Sequence, residues 1–204
     1  MERIVINNDN PLFRDLKMVA EVVNQGGTII FPTDSVYALG CLLTNKKGIE
    51  TICKVTNKKE KQAKMSIICP NISVISQYTP QIENHIFREM KRVLPGPFTF
   101  ILKSNNYIQK YFKNTKEEIG VRIPQSKILA ELLPMLDAPL ISTSLNQKNT
   151  PDSNYVDPDA ICEDFEHEVD IILDGGIGDT SLTTILDCTD GDITLIRQGK
   201  GVFE

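Results

Sequence analysis

The 204-residue chain reads as a layered α/β (α+β) protein in one domain, residues 1–204. Three observations carry that reading. Short β-branched, apolar runs alternate repeatedly with segments whose apolar residues recur at helical spacing. No repeat, long linker or low-complexity tract interrupts them, and the second half shows no break in composition. The content, 41% hydrophobic and 24% charged, is that of an ordinary soluble chain long enough to bury a core.

The elements follow in order. Residues 3–6 suit a first strand. Residues 11–24 suit a helix, with Leu12, Leu16, Val19 and Val23 at helical spacing and Gly26-Gly27 ending it. Thr28-Ile29-Ile30-Phe31 is β-branched, aromatic and uncharged, as a buried strand would be. Pro32 cannot donate to a ladder, so pairing is expected to stop there. The next residues would leave the sheet edge carrying Thr33, Asp34, Ser35 and Tyr37. Open α/β sheets bind ligands at such strand ends. The plainer alternative is a strand-to-loop exit with turn-forming polar residues.

Residues 49–56 look helical and 65–69 extended. Asn71 or Ser73 caps a short helix reaching 78, and Pro80 opens another through 93. Residues 98–102 form a strand, followed by a polar connection with helical potential. Residues 120–123 are extended, 126–136 helical and 140–143 extended. Asp157-Pro158 starts a helix near 160–166, and 169–173, 183–186 and 193–196 complete the strands.

No apolar run approaches the roughly 20 residues needed to span a bilayer. The amino terminus lacks the basic start and long apolar segment of a signal peptide, so a cytoplasmic location without membrane attachment is expected. Five cysteines, Cys41, Cys53, Cys69, Cys162 and Cys188, form no CxxC or Cys/His cluster, which argues against disulfides and structural zinc. They read as small buried hydrophobes. His85 and His167 have no partner at ligand spacing, and no metal-ligating residues are expected.

The net charge of −5 opposes nonspecific adhesion to nucleic acid. Locally, Lys54, Lys58, Lys59, Lys61 and Lys64 oppose only Glu60, with Lys46 and Lys47 upstream. Such a run is either a solvated face or an anion site for nucleotide phosphates or RNA backbone. The Gly-x-x-x-x-Gly-Lys-Ser/Thr phosphate loop is absent. Gly175-Gly176-Ile177-Gly178 lacks dinucleotide-fold spacing and suits a tight turn between strands.

Six ordered motifs span nearly the whole chain. They are Pro32-Thr33-Asp34-Ser35-Val36-Tyr37-Ala38-Leu39-Gly40, residues 94–102 (LPGPFTFIL), Gly120-Val121-Arg122-Ile123-Pro124, Ser142-Thr143-Ser144-Leu145-Asn146, Thr183-Thr184-Ile185-Leu186-Asp187 and Ile196-Arg197-Gln198-Gly199. On these the chain resembles the YrdC/YciO-like family, whose signature reads PTDTVYGLG. Its best-known activity is threonylcarbamoyl-AMP synthesis, which begins the threonylcarbamoyl modification of tRNA adenosine. The resemblance refines the fold to a twisted mixed β-sheet with flanking helices and a large concave cleft.

It also implies a reaction and a site. ATP, threonine and bicarbonate would be joined into threonylcarbamoyl-AMP with release of pyrophosphate. Magnesium would be bound mainly through the phosphates. Holding a carboxylate, a carbamate and a polyphosphate together needs cations and neutral donors, with catalysis by positioning and electrostatics. By resemblance Thr33, Arg122, Ser142 and Thr183 contact threonine, Arg122 gripping its carboxylate. Ser144, Asn146 and Arg197 face the nucleotide. Ion pairs are the alternative reading of both arginines, and a Ser-rich turn that of the serines.

The synthases carry a Lys-x-Arg pair before the strand at 65–69. Depending on a one-residue gap, the pair here becomes Thr56 with Lys58 or Asn57 with Lys59. Lys58 or Lys59 supplies one catalytic charge, without arginine's planar fork. Ala38 replaces a signature glycine, and Asn149 a glycine usual after Ser-x-Asn. Residues 37–41, 52–54 and 142–145 look most like the YciO branch, in which the complete pair is missing. The leading expectation is therefore a threonylcarbamoyl-AMP synthase that passes its product to a separate threonylcarbamoyl transferase complex. The alternative is a YciO-type nucleotide-binding or RNA-binding protein, its partner tRNA or double-stranded RNA, with weak or no synthase activity.

Overall fold

The computed structural model describes residues 1–60, 64–112, 117–148 and 153–204. Among them, ten strands form one mixed sheet. The strands are β1 (Glu2–Val5), β2 (Ile29–Phe31), β3 (Ala38–Leu42), β4 (Ser66–Ile68), β5 (Phe98–Lys103), β6 (Glu118–Arg122), β7 (Leu140–Ser144), β8 (Ile171–Asp174), β9 (Thr184–Asp187) and β10 (Thr194–Arg197). Their order across the sheet is β1-β8-β2-β3-β7-β4-β6-β5-β9-β10. β8 lies parallel to both β1 and β2, β4 to β6, and β5 to β9; the other neighbours are antiparallel.

The helices are α1 (Phe13–Asn24), α2 (Lys46–Val55), α3 (Ile72–Ile75), α4 (Asn84–Val93), α5 (Asn106–Gln109), α6 (Lys127–Leu132) and α7 (Pro158–Phe165). Local chemistry sets their ends. Asn45, Asn71, Asn105, Ser126 and Asp157 each accept a backbone N–H of the first turn they precede. Pro134 stops α6, which tightens into a 3-10 turn at Leu133–Met135.

The two faces of the sheet are covered unequally. On one face Ile30, Leu39, Ile67, Phe100, Val121 and Ile141 pack under the apolar sides of α2, α4 and α7, with the short α3 and α5 at the margin. On the other face α1 and α6 cover only the strands around β8, β2 and β3, through Leu16, Val19, Val23, Ile128, Leu129 and Leu132. Side chains alternate along a strand, so the rest of that second face can be read from the register. It carries Gly40, Ser142, Ser144, Ser66, Gly120, Arg122, Thr99 and Arg197. Small and polar residues dominate where no helix packs, interspersed with the partly exposed Ile101 and Ile185.

One expectation is corrected. Pairing stops at Pro32 and residues 32–37 leave the sheet as a loop, as expected, but the chain does not stay outside it. It doubles back as β3, pairing Ile29 with Gly40 and Phe31 with Ala38. Tyr37 is therefore not at a sheet edge but fully buried in the core. A run of apolar residues after a polar loop is as compatible with a return strand as with an exit, and only the pairing decides.

Helix α2 ends with Asn57 at a positive φ of 51°. Lys58 N–H donates to Cys53 O and Asn57 N–H to Lys54 O, the two bonds of a Schellman terminus. Asparagine tolerates this conformation better than most residues, but glycine adopts it without strain. Asn57→Gly is expected to raise stability by up to about 1 kcal/mol, and Asn57→Val to lower it by about 1–2 kcal/mol, in urea unfolding.

Candidate functional site

The half-face without helices is roofed by two loops and the carboxy-terminal segment. The first loop, residues 32–37, is folded on its own hydroxyls. Thr33 Oγ1 donates to Val36 O at 2.8 Å and accepts Ser35 N–H at 3.0 Å. That turn aims Asp34 and Ser35 at the end of β6. There Arg122 Nη2 donates to Asp34 Oδ1 at 2.9 Å and to Ser35 Oγ at 3.1 Å. The pair is closed off from water, with side chains 7% and 8% exposed. Arg122 Nε is buried with no hydrogen-bond partner.

Burial pushes the Arg122 guanidinium below its ordinary value; Asp34 opposes this and the positive charge of Arg197 adds to it. The two arginines, 75 positions apart in sequence, thus share one electrostatic environment. Arg197 ends β10 and donates from Nε and Nη2 to Thr183 O at 3.1 and 2.8 Å. Thr183 Oγ1 in turn lies 2.8 Å from Thr99 Oγ1 on β5. Burial lowers the Arg197 pKa too. A buried and a half-buried guanidinium beside hydroxyls are suited to an anion that arrives desolvated and oriented.

The carboxy-terminal segment fastens the roof. Lys200 Nζ donates to Asp34 O at 2.7 Å and pairs with Asp179 at 2.7 Å. Tyr37 secures the same loop from below: its hydroxyl donates to Gly176 O at 2.7 Å and accepts Gly175 N–H at 3.1 Å. Gly176 has φ 82°, and a Cβ on Gly178 would meet the Tyr37 ring at 2.8 Å. The glycine run is not the expected tight turn between strands: it opens the long connection from β8 to β9, which lie far apart in the sheet, and is shaped to the tyrosine. A cavity of about 280 Å³ opens beside Thr33, lined also by Gln125, Lys127, Gly176 and Asp179.

The residues singled out in the sequence do not all come together. Thr33, Arg122, Thr183 and Arg197 line one region through the contacts above. Ser142 and Ser144 lie on the same face of β7, Ser142 buried opposite Gly40 and Ser66. Asn146 follows β7 on an exposed stretch, bridged to Asn154. Lys58 and Lys59 are exposed just beyond α2; no hydrogen bond or ion pair given for the described residues ties either to Arg122, Asp34 or Arg197. Lys61 and Asn149 lie outside the described residues.

Asp34, Ser35, Thr99 and Lys200 reach the site without having been assigned to it. Asp34 and Ser35 stood within the signature loop, and a carboxylate beside a predicted arginine was the available signal. Lys200 and Thr99 carried none, since only folding brings them there. Elsewhere, Cys41, Cys69 and Cys188 are buried, Cys53 and Cys162 half-buried, and all five are free thiols. No helix among the described residues is long and apolar enough to cross a membrane.

The family model Sua5/YciO/YrdC, described as "Telomere recombination", matches residues 21–199. The chain belongs to that family. It is 36% identical to "Uncharacterized protein YciO" of Escherichia coli K12 over 199 residues, 96% of this chain and 94% of that one. The crystal structure of E. coli YciO matches with a TM-score of 0.90 at 34% identity, covering 98% of this chain and 97% of that one. P. abyssi Sua5 complexed with L-threonine shares the fold at TM-score 0.88 and 20% identity, over 98% of this chain and 58% of that one. The family's mixed sheet with flanking helices is the fold observed here.

Two outcomes test the roof. Tyr37→Phe leaves Gly175 N–H and Gly176 O without their partner and should cost about 1–3 kcal/mol in chemical unfolding. Lys200 holds the Asp179 carboxyl below its usual range, followed by the Ser181 N–H. A depressed carboxyl stabilises the fold above its unfolded value, about 3.9, and loses that effect as pH falls through the folded value. The stability gap between wild type and Lys200→Ala should accordingly be present at neutral pH and shrink on acidification below that range.

Proposed function

We propose that this protein condenses an amino acid, bicarbonate and ATP into a carbamoyl adenylate, as a threonylcarbamoyl-AMP synthase acting in tRNA threonylcarbamoyladenosine formation does. One observation carries the reading. Arg122 and Arg197, from motifs far apart in sequence, lie on one face of the sheet, beside hydroxyl-bearing strands and where the flanking helices are absent. The same fold in P. abyssi Sua5 holds L-threonine, which supports an amino acid as one ligand.

The chemistry asked of the site is modest. The amino nitrogen and bicarbonate form a carbamate with loss of water; a carbamate oxygen then attacks the α-phosphorus of ATP, and pyrophosphate leaves. Arg122 would orient the amino-acid carboxylate beside Thr33, with Ser142 and Thr183 lining the pocket. Arg197, Ser144 and Asn146 would face the nucleotide. Buried donors held in place before the ligand arrives stabilise developing charge more than mobile ones in water. Among the described residues no three His, Cys, Asp or Glu side chains gather as a cation site. Magnesium would therefore enter with ATP, held by its phosphates, and no step of this proposal runs through a resident metal.

A second reading draws on one specific observation. Lys58 and Lys59 stand exposed where the synthases carry Lys-x-Arg, beyond an α2 that itself bears Lys46, Lys47 and Lys54. That surface suits the backbone of tRNA or double-stranded RNA, with salt-sensitive affinity, in a protein of weak or no synthase activity.

Pyrophosphate release from ATP, measured with and without threonine and bicarbonate and with mass detection of the adduct, separates the two. Release needing both co-substrates is the expected result. Arg122→Ala should then raise the threonine requirement by about ten-fold or more while moving the ATP requirement little. No release from folded protein that binds ATP would favour the RNA-binding reading.

A further inference from the structure

We infer that Asp34 is a positioning residue: it sets which edge of Arg122 meets the ligand and acts on binding through that arginine. The inference rests on the proposed reading of the site. A guanidinium has five N–H donors, two on each terminal nitrogen and one on Nε. Both donors of Nη2 are taken, by Asp34 Oδ1 at 2.9 Å and Ser35 Oγ at 3.1 Å. Nε is buried and unpartnered. With Nη2 occupied, Nε–H and the Nη1 donors are the ones Arg122 leaves to an incoming carboxylate.

Asp34 is held too firmly to be a stand-in that the ligand displaces. Its Oδ2 accepts Gln125 N–H at 2.8 Å, and its carbonyl accepts Lys200 Nζ at 2.7 Å. Swinging the carboxylate away would break both bonds at once and leave a buried guanidinium edge unpaired, which is costly where water is excluded. Asp34 also neutralises Arg122, so Arg122 recognises its ligand by direction. Arg197 donates to the neutral oxygens of Thr183 and, among the described residues, pairs with no carboxylate, so it brings positive charge to the site. The division of labour between the two arginines follows from the single carboxylate placed beside one of them.

The test compares wild type, Asp34→Asn, Arg122→Ala and the double variant by threonine calorimetry and by steady-state pyrophosphate release, each confirmed folded by thermal melting. Asparagine keeps the shape of the side chain but cannot accept from both Nη2 and Gln125 N–H. Asp34→Asn is expected to raise the threonine Kd and KM about ten-fold or more, to leave the ATP KM within about two-fold, and to add nothing to Arg122→Ala. A purely structural role would lower the melting temperature without separating threonine from ATP. Unchanged threonine affinity, equal effects on both substrates, or additive losses in the double variant would overturn the positioning role alone. Wild-type protein that neither binds threonine nor releases pyrophosphate would overturn the functional reading and the inference together.

Discussion

The buried pair of Asp34 and Arg122 is the constraint around which the rest of the site is arranged. A guanidinium withdrawn from water at the end of β6 demands a partner, and in a low-dielectric setting an uncompensated one is strongly destabilising. The partner comes from a loop 88 positions earlier in the chain. That loop has then to be held, and three further contacts hold it: its own Thr33 turn, Tyr37 against the glycine run, and Lys200 from the carboxy-terminal segment. Each fixes a different side, so the geometry is over-determined.

The sheet makes room for this arrangement by being covered unevenly. Five helices pack one face, whereas α1 and α6 cover only part of the other. Where helices pack, the strands carry Ile, Leu, Val and Phe. Where they do not, Ser, Thr, Gly and Arg stand among the partly exposed Ile101 and Ile185, and the loops that roof them bring polar atoms. Function is placed where the packing requirement is relaxed and where connections from distant parts of the chain converge. The family preserves this architecture down to 20% identity, as expected when sheet order and helix placement depend on patterning and not on particular side chains.

Much of the fold was legible in the sequence. Helix α1, the body of helix α4, the strands around Phe100 and Val121 and the late strands could be read from periodicity, although α4 begins at Asn84 and not at Pro80. The second strand of the first hairpin could not. Val36 to Leu43 is apolar without interruption, and periodicity alone does not distinguish a return strand from a buried loop. The six motifs marked the site's residues, but not their partners. Nothing local in Asp34, Thr99 or Lys200 says which arginine or threonine each will meet, because those contacts join segments brought together only by strand order.

Alone, the sequence determined the class of fold, the family, the absence of a phosphate loop and the set of polar motifs from which a site is built. Periodicity and capping are short-range effects, and they survive reading one segment at a time. The tertiary structure decided that Tyr37 is a buried pin, that Lys58 and Lys59 stand exposed beyond α2, and that Asp34 neutralises Arg122 whereas, among the described residues, Arg197 bonds neutral oxygens. Charge compensation and desolvation depend on what the whole chain places within a few ångströms, and that is settled only when the sheet is assembled.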